Sequence, residues 1–212
     1  MPPRPANINA RLDRAVLDDV VRERRVEESE LDGLDLADLT LHNLRLRESR
    51  LHRVDLTGAA LAGLDLADVV ANEGNWANVG ACEATIVRLE ATGLRGTGAQ
   101  FGEATLADCT FAECRLDLVS FRFAQLDRIV FRDCRLDEAD FHGATLRSVL
   151  FERCVLTRAS VDAASFRRCE IRGCELADIA GVERFRGMRM PWADVIQIAG
   201  LLAVANGIDV VD

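Results

Sequence analysis

An all-β solenoid, wound from square coils of twenty residues, is the fold this sequence predicts. Three observations carry it. Large apolar residues recur at every fifth position from Leu31 to Leu176, interrupted only at Ala71, Ala81, Ala91 and Gly96. A second column, two places earlier, holds small or medium apolar residues such as Ala99, Ala104, Cys109, Cys114, Val119, Ala124 and Ile129. The run Cys114-Arg115-Leu116-Asp117 returns twenty residues later as Cys134-Arg135-Leu136-Asp137. A period of five fits neither a helix nor a simple strand. A chain that turns a corner every five residues keeps both columns inside, and four sides close one coil. Coils stacked as parallel strands at roughly 4.8 Å build a rod on the order of 36 Å long.

Taken in order, residues 1–28 read as an N-terminal cap. Their opening, MPPRPANINARLDRAV, lacks the apolar run of a signal peptide. The segment from Ala10 to about Glu28 reads as a short helix, with Leu12, Val16 and Val20 at spacing four. A cap is required because the end of a solenoid exposes unpaired strand edges. Residues 29–179 are the repeat. All four interruptions of the central column fall within 69–98, where Trp76 stays in frame and Gly96 lies twenty residues on. Two readings stand there: an indole that fills the interior while its neighbours shrink, or a local bulge or loop.

Beyond that stretch, Phe101, Phe121 and Phe141 fall on one side and Phe111, Phe131 and Phe151 on the opposite one. Leucine lines most of the two sides between, an alternation that fills a narrow interior. Cys114, Cys134, Cys154 and Cys174 form an inward ladder, and Cys109 and Cys169 share the inner column of another side. The column uses Ala and Val interchangeably with Cys, which favours thiols that simply fit it over a metal or redox site. The parallel side chains of stacked cysteines do not suit disulfides. Cys82 lies outside the columns and reads as an exposed thiol. Glycines such as Gly33, Gly58, Gly63 and Gly143 fall at the corners. Residues 180–212 form a C-terminal helical cap, with Pro191 suited to a helix start and Gly207 to its stop. Trp192, Val195, Ile198, Leu201 and Leu202 make this segment broadly apolar. They serve either to close the last coil or to join a second copy.

The repeating unit, seen in Ala139-Asp140-Phe141-His142-Gly143 and in Ala144-Thr145-Leu146, resembles that of the pentapeptide-repeat proteins over about residues 29–179. The resemblance implies a right-handed quadrilateral parallel β-helix. It also implies a non-enzymatic binding role. Characterised members protect bacteria from quinolones by binding DNA gyrase and topoisomerase IV, with an acidic rod resembling duplex DNA, and related members dimerise through the C-terminal helical region.

Charge bears on that role. The formal net charge is −9, and all 26 basic residues are arginine. Such a surface does not suit direct nucleic-acid binding. Residues 29–110 carry 13 acids against six arginines, while residues 111–179 carry 12 against 11. The acidity therefore sits in the half away from the expected dimer end. Asp35, Asp55, Glu83, Glu103 and Asp108 are the acidic candidates for a partner surface. Leu118, Phe123, Val130 and Leu150 leave the inward columns and offer an apolar alternative, the surface of a generic structural or adaptor scaffold.

The three histidines, His42, His52 and His142, are too dispersed for a triad or a metal trio. No phosphate loop or dinucleotide fingerprint occurs. No catalytic residue, cofactor or metal is therefore expected. No run of about 18 apolar residues suggests a membrane helix. The expected setting is the cytoplasm, and the expected partner is a protein, with a type II topoisomerase the leading class.

Overall fold

The computed structural model describes residues 2–211 and adopts the expected class, a parallel β-solenoid of about eight turns with short helices at its ends. What bends the chain is visible in its backbone. Every fifth residue from Glu28 to Asp178 has a positive φ, between 47° and 71°. Glycine holds some of these corners, but Asp, Asn, Glu and Arg hold most. A left-handed residue with a β-carbon costs about 1–2 kcal/mol. Interior burial and an unbroken ladder between coils offset that cost.

The longest strands each turn one corner: β4 (Arg45–His52), β5 (Asp65–Asn72), β6 (Thr85–Thr92), β7 (Thr105–Ala112) and β8 (Gln125–Arg132). All pair parallel at a spacing of twenty, as in Leu46↔Leu66, Ile86↔Leu106 and Phe111↔Phe131. The four sides are numbered along the chain. Side one is centred on Leu46, Leu66 and Ile86, and side two on Leu51, Ala71 and Phe111. Side three is centred on Leu56, Trp76 and Leu116, and side four on Leu61, Phe101 and Phe121.

Two phenylalanine stacks fill the later coils. Phe101, Phe121 and Phe141 stack at 5.6 and 5.3 Å, and Phe111, Phe131 and Phe151 at 5.2 Å. The stacks meet edge to face across the interior, as between Phe141 and Phe151 at 5.7 Å. In the earlier coils the interior is mostly leucine and alanine, with Val54, Val69, Val79, Ile86 and one indole. Residues 69–98 are regular coils, not a loop: β5 and β6 run through them, and Asn75↔Arg95 and Gly80↔Gln100 bridge them. Trp76 is buried, and the space a side chain at Gly96 would need is taken by Leu116, whose Cδ2 would lie 2.8 Å from an added β-carbon.

The ends differ from the simplest sequence reading. Only Leu17–Glu23 (α1) is helical at the N-terminus. Asp13–Arg14 (β1) pairs instead with Ser29–Asp32 (β3), and Arg25–Glu27 (β2) with β4. Val20 and Ala15 are buried, whereas Val16 is 52% exposed, so the spacing-four stripe is not a single buried face. An open edge demands strand partners, and part of the segment supplies them.

At the other end a 3-10 turn, Val182–Phe185, precedes two short helices, Trp192–Gln197 (α2) and Ala199–Ala205 (α3), rather than one long helix. The break falls at Ile198, which is fully buried in its own chain. Polar side chains of α2 replace the missing next coil. Asp194 accepts the Gly173 N–H at 2.7 Å, and the Gln197 amide donates to the Cys174 carbonyl at 3.0 Å while accepting the Leu176 N–H at 3.3 Å.

Candidate interaction surface

Inward positions carry packing, so any chemistry must sit outside. The six interior cysteines are buried free thiols. Burial pushes the Cys109 thiol up to about 12, which leaves it protonated and inert. Cys82 is exposed. Among the described residues, no group of three or more His, Cys, Asp or Glu is placed to hold a metal ion.

Acids of the N-terminal half fall into a paired and an unpaired group. Those paired with arginine, namely Asp32 with Arg53, Asp65 with Arg47, Asp68 with Arg88 and Asp108 with Arg128, lie on sides one and two or their shared corner. Among the described residues, Asp35, Asp38, Asp55, Glu73, Glu83 and Glu103 have no arginine within 4.0 Å, and neither do Glu30, Glu48 and Glu90 of side two and its corner with side one. Asp35, Asp38, Asp55 and Glu73 line side three and its corners, and Glu83 and Glu103 follow one another at the corner between sides four and one. Asp35 and Asp55 pair directly on successive coils. The same outer column continues as Asn75, Arg95, Arg115 and Arg135, so side three passes from acidic to basic along the rod. Thr57, donating through its hydroxyl and its N–H, holds the Asp55 carboxyl below the usual carboxylate range.

Asp108 does not join this exposed set. It is 4% exposed and bound by the Arg128 guanidinium through two bonds of 2.7 and 2.8 Å. Its sequence position at a corner gave no sign that the next coil would cover it.

The apolar candidates also separate. Val130 and Leu150 pair on side two and are half-buried. Leu118, at the corner of sides three and four, is 53% exposed, and Phe123, at the corner of sides four and one, is 55% exposed. Both have left-handed backbones. The Phe123 ring lies over Gly143, meets His142 edge-on at 5.6 Å and sits under the Arg122 guanidinium at 5.6 Å. These residues therefore do not make one apolar patch with Val130 and Leu150.

At the C-terminal cap, Trp192 is 75% exposed and Leu201 36%, and Val195 is half-buried. Ile198 and Leu202 face the rod, which takes them out of the set free to meet a second copy. Ile196 and Val204 are exposed instead.

One further surface feature is the N-terminal arm. Residues 2–7 run along the outside of the rod at the corner of sides one and two. The Arg4 N–H donates to Asp108, the Ala6 N–H to Glu90 and the Asn7 N–H to Asp68, at 3.0, 2.8 and 3.0 Å. Pro2 shares a hollow with Val130 and Leu150. The prolines of MPPRPANIN were the only local signal for an extended segment of this kind.

These features define a repeat rod whose chemical variety is confined to its outer sides and two caps. The model of the family described as "Pentapeptide repeat region" matches residues 87–161 and 104–180. Residues 87–180 are thus matched as a pentapeptide-repeat region, and the coils before them keep the same five-residue frame. Comparison with the curated proteins finds no match.

Several solved structures are similar. One is HetL of the cyanobacterium Nostoc, a pentapeptide repeat protein involved in heterocyst differentiation regulation. It is 20% identical, with 80% of this chain and 90% of that one covered and a TM-score of 0.35. Another is a pentapeptide repeat protein of the Arabidopsis thaliana thylakoid lumen, 20% identical, with coverage of 60% and 71% and a TM-score of 0.40. A third is full-length QnrB1, a plasmid-mediated fluoroquinolone resistance protein, 16% identical, with coverage of 85% and 100% and a TM-score of 0.34.

Proposed function

We propose that this protein is a non-catalytic binding rod whose acidic N-terminal half engages a DNA-handling protein of the type II topoisomerase class in place of duplex DNA. The observation that carries the reading is the unpaired acidity of side three and of the corner holding Glu83 and Glu103. Residues 29–110 have a net charge of −7, and at roughly 4.8 Å per coil they span about 20 Å. That is one net negative charge per about 3 Å, within a factor of two of the roughly 1.7 Å of duplex DNA. The C-terminal half, near neutral, lacks this density. The exposed Trp192 and Leu201 of the C-terminal cap, with the half-buried Val195, are assigned to a homodimer contact.

The test is a gyrase supercoiling assay with and without the protein and a quinolone. Inhibition or drug protection that disappears in a Glu83→Arg, Glu103→Arg double variant is expected. No effect on supercoiling, no drug protection and no co-purification would overturn the reading. A second reading, an adaptor that docks through an outer corner, is favoured by Phe123, a bulky exposed ring held on a left-handed backbone. It predicts partner binding that survives high salt and the charge reversal.

A further inference from the structure

We propose that the corner between sides one and two is a docking groove for an extended, proline-rich segment of a partner protein, and that residues 2–7 occupy it as the chain's own ligand. The evidence is the way the arm is held. Its three contacts are main-chain N–H groups on carboxylates of three successive coils: Asn7 on Asp68, Ala6 on Glu90 and Arg4 on Asp108. Sequence separations of 61, 84 and 104 make this a tertiary docking event and not local structure.

The periods match. Prolines favour an extended chain with three residues per turn and about 3.1 Å per residue, so the N–H groups of residues 4 and 7 point the same way roughly 9.3 Å apart. Asp68 and Asp108 stand in one corner column two coils apart, roughly 9.6 Å. Pro3 and Pro5 have no N–H, so the arm offers few donors that the groove would leave unpaired.

The groove is built independently of the arm. Asp68 is bound by Arg88 through two bonds of 2.5 Å, and Asp108 by Arg128, so each carboxylate is already fixed in place by the next coil and accepts the arm with a remaining lone pair. Glu90, Thr92 and Thr110 of the rod lie beside Pro3, Arg4 and Pro5 of the arm. Pro2 extends the arm to the hollow that it lines with the Val130 and Leu150 pair of side two. A partner segment of the same kind would displace it.

This inference goes beyond the topoisomerase reading and is separable from it, because the groove lies at the corner of sides one and two, away from side three and from Glu83 and Glu103, and a supercoiling assay does not report on it. The test uses a fluorescently labelled peptide, MPPRPANIN, and fluorescence anisotropy. The peptide is expected to bind saturably to a chain lacking residues 2–9 and at least tenfold more weakly to the intact chain. It should also bind at least tenfold more weakly when Asp68→Asn and Asp108→Asn are added to the shortened chain. A peptide N-methylated at Ala6 and Asn7 should lose at least tenfold. If the shortened chain does not fold by circular dichroism, the full chain with Ala6→Pro and Asn7→Pro releases the arm and serves in its place. No binding to the opened groove, or equal binding to the intact chain, to the Asn variants or by the N-methylated peptide, would overturn the proposal.

Discussion

Phe123 and Gly143 show how one corner constrains the next. Gly143 has φ 67°, and a β-carbon added there would lie 2.5 Å from the Phe123 ring. Gly143→Ala is therefore expected to cost about 2 kcal/mol, the left-handed penalty plus the displaced ring. A Phe123→Ala background should recover about half of that, read by urea unfolding as a double-mutant cycle. Inside the rod, Phe131 lies between Phe111 and Phe151 and meets Phe121 and Phe141 edge-on. Phe131→Ala should cost about 3–5 kcal/mol by the same measurement.

Asp108 carries a pH signature. The Arg128 guanidinium, reinforced by the Arg4 N–H, holds its carboxyl below the usual carboxylate range. The folded state thus binds its proton less tightly than the unfolded chain. The resulting stability is fully present above about pH 4 and is lost as pH falls through the depressed value. Asp108→Asn is expected to cost about 2 kcal/mol at pH 7, with the difference from the parent shrinking below pH 4 in thermal melts. Both Phe columns were legible in the sequence because frame alone decides which residues point inward. The covering of Asp108 was not, because it depends on an arginine one coil away.

At the scale of elements, the caps are where reading and structure part. The open face of the last coil needs partners for its strand groups, and Asp194 and Gln197 supply them from a helix. Asp194 is 2% exposed, so Asp194→Ala strands the Gly173 N–H and is expected to cost about 1–3 kcal/mol. Loss of protection at the amides of Gly173 and Leu176 in hydrogen exchange, ahead of the central coils, would check it. The sequence showed a broadly apolar C-terminal segment but not its division. The break at Ile198 turns Ile198 and Leu202 onto the rod and leaves Trp192, Ile196, Leu201 and Val204 outside. No periodic pattern predicts where a helix breaks to fit a coil beneath it.

For the whole molecule, charge is the property that distinguishes the two halves. Binding that depends on the acidic half should weaken steeply between 50 and 200 mM salt, whereas an apolar contact should hardly change. Surface plasmon resonance of the intact chain against a purified topoisomerase, repeated across that range, measures the slope. Charge content was plain in the sequence. Which carboxylates are paired, as Asp68 and Asp108 are, and which on side three, as Asp35 and Asp55, are not was hidden, since pairing runs between residues near twenty apart that only the coil brings together.

By itself the sequence determined the coil, its interior and its family resemblance. A five-residue period leaves one arrangement in which thirty successive central residues can all leave water, and burial of apolar surface enforces it. Only the tertiary structure decided which carboxylates are free, which cap residues face outward and where the proline-rich arm lies. Those outcomes rest on single hydrogen bonds and ion pairs between distant residues, whose geometry a repeating pattern does not encode.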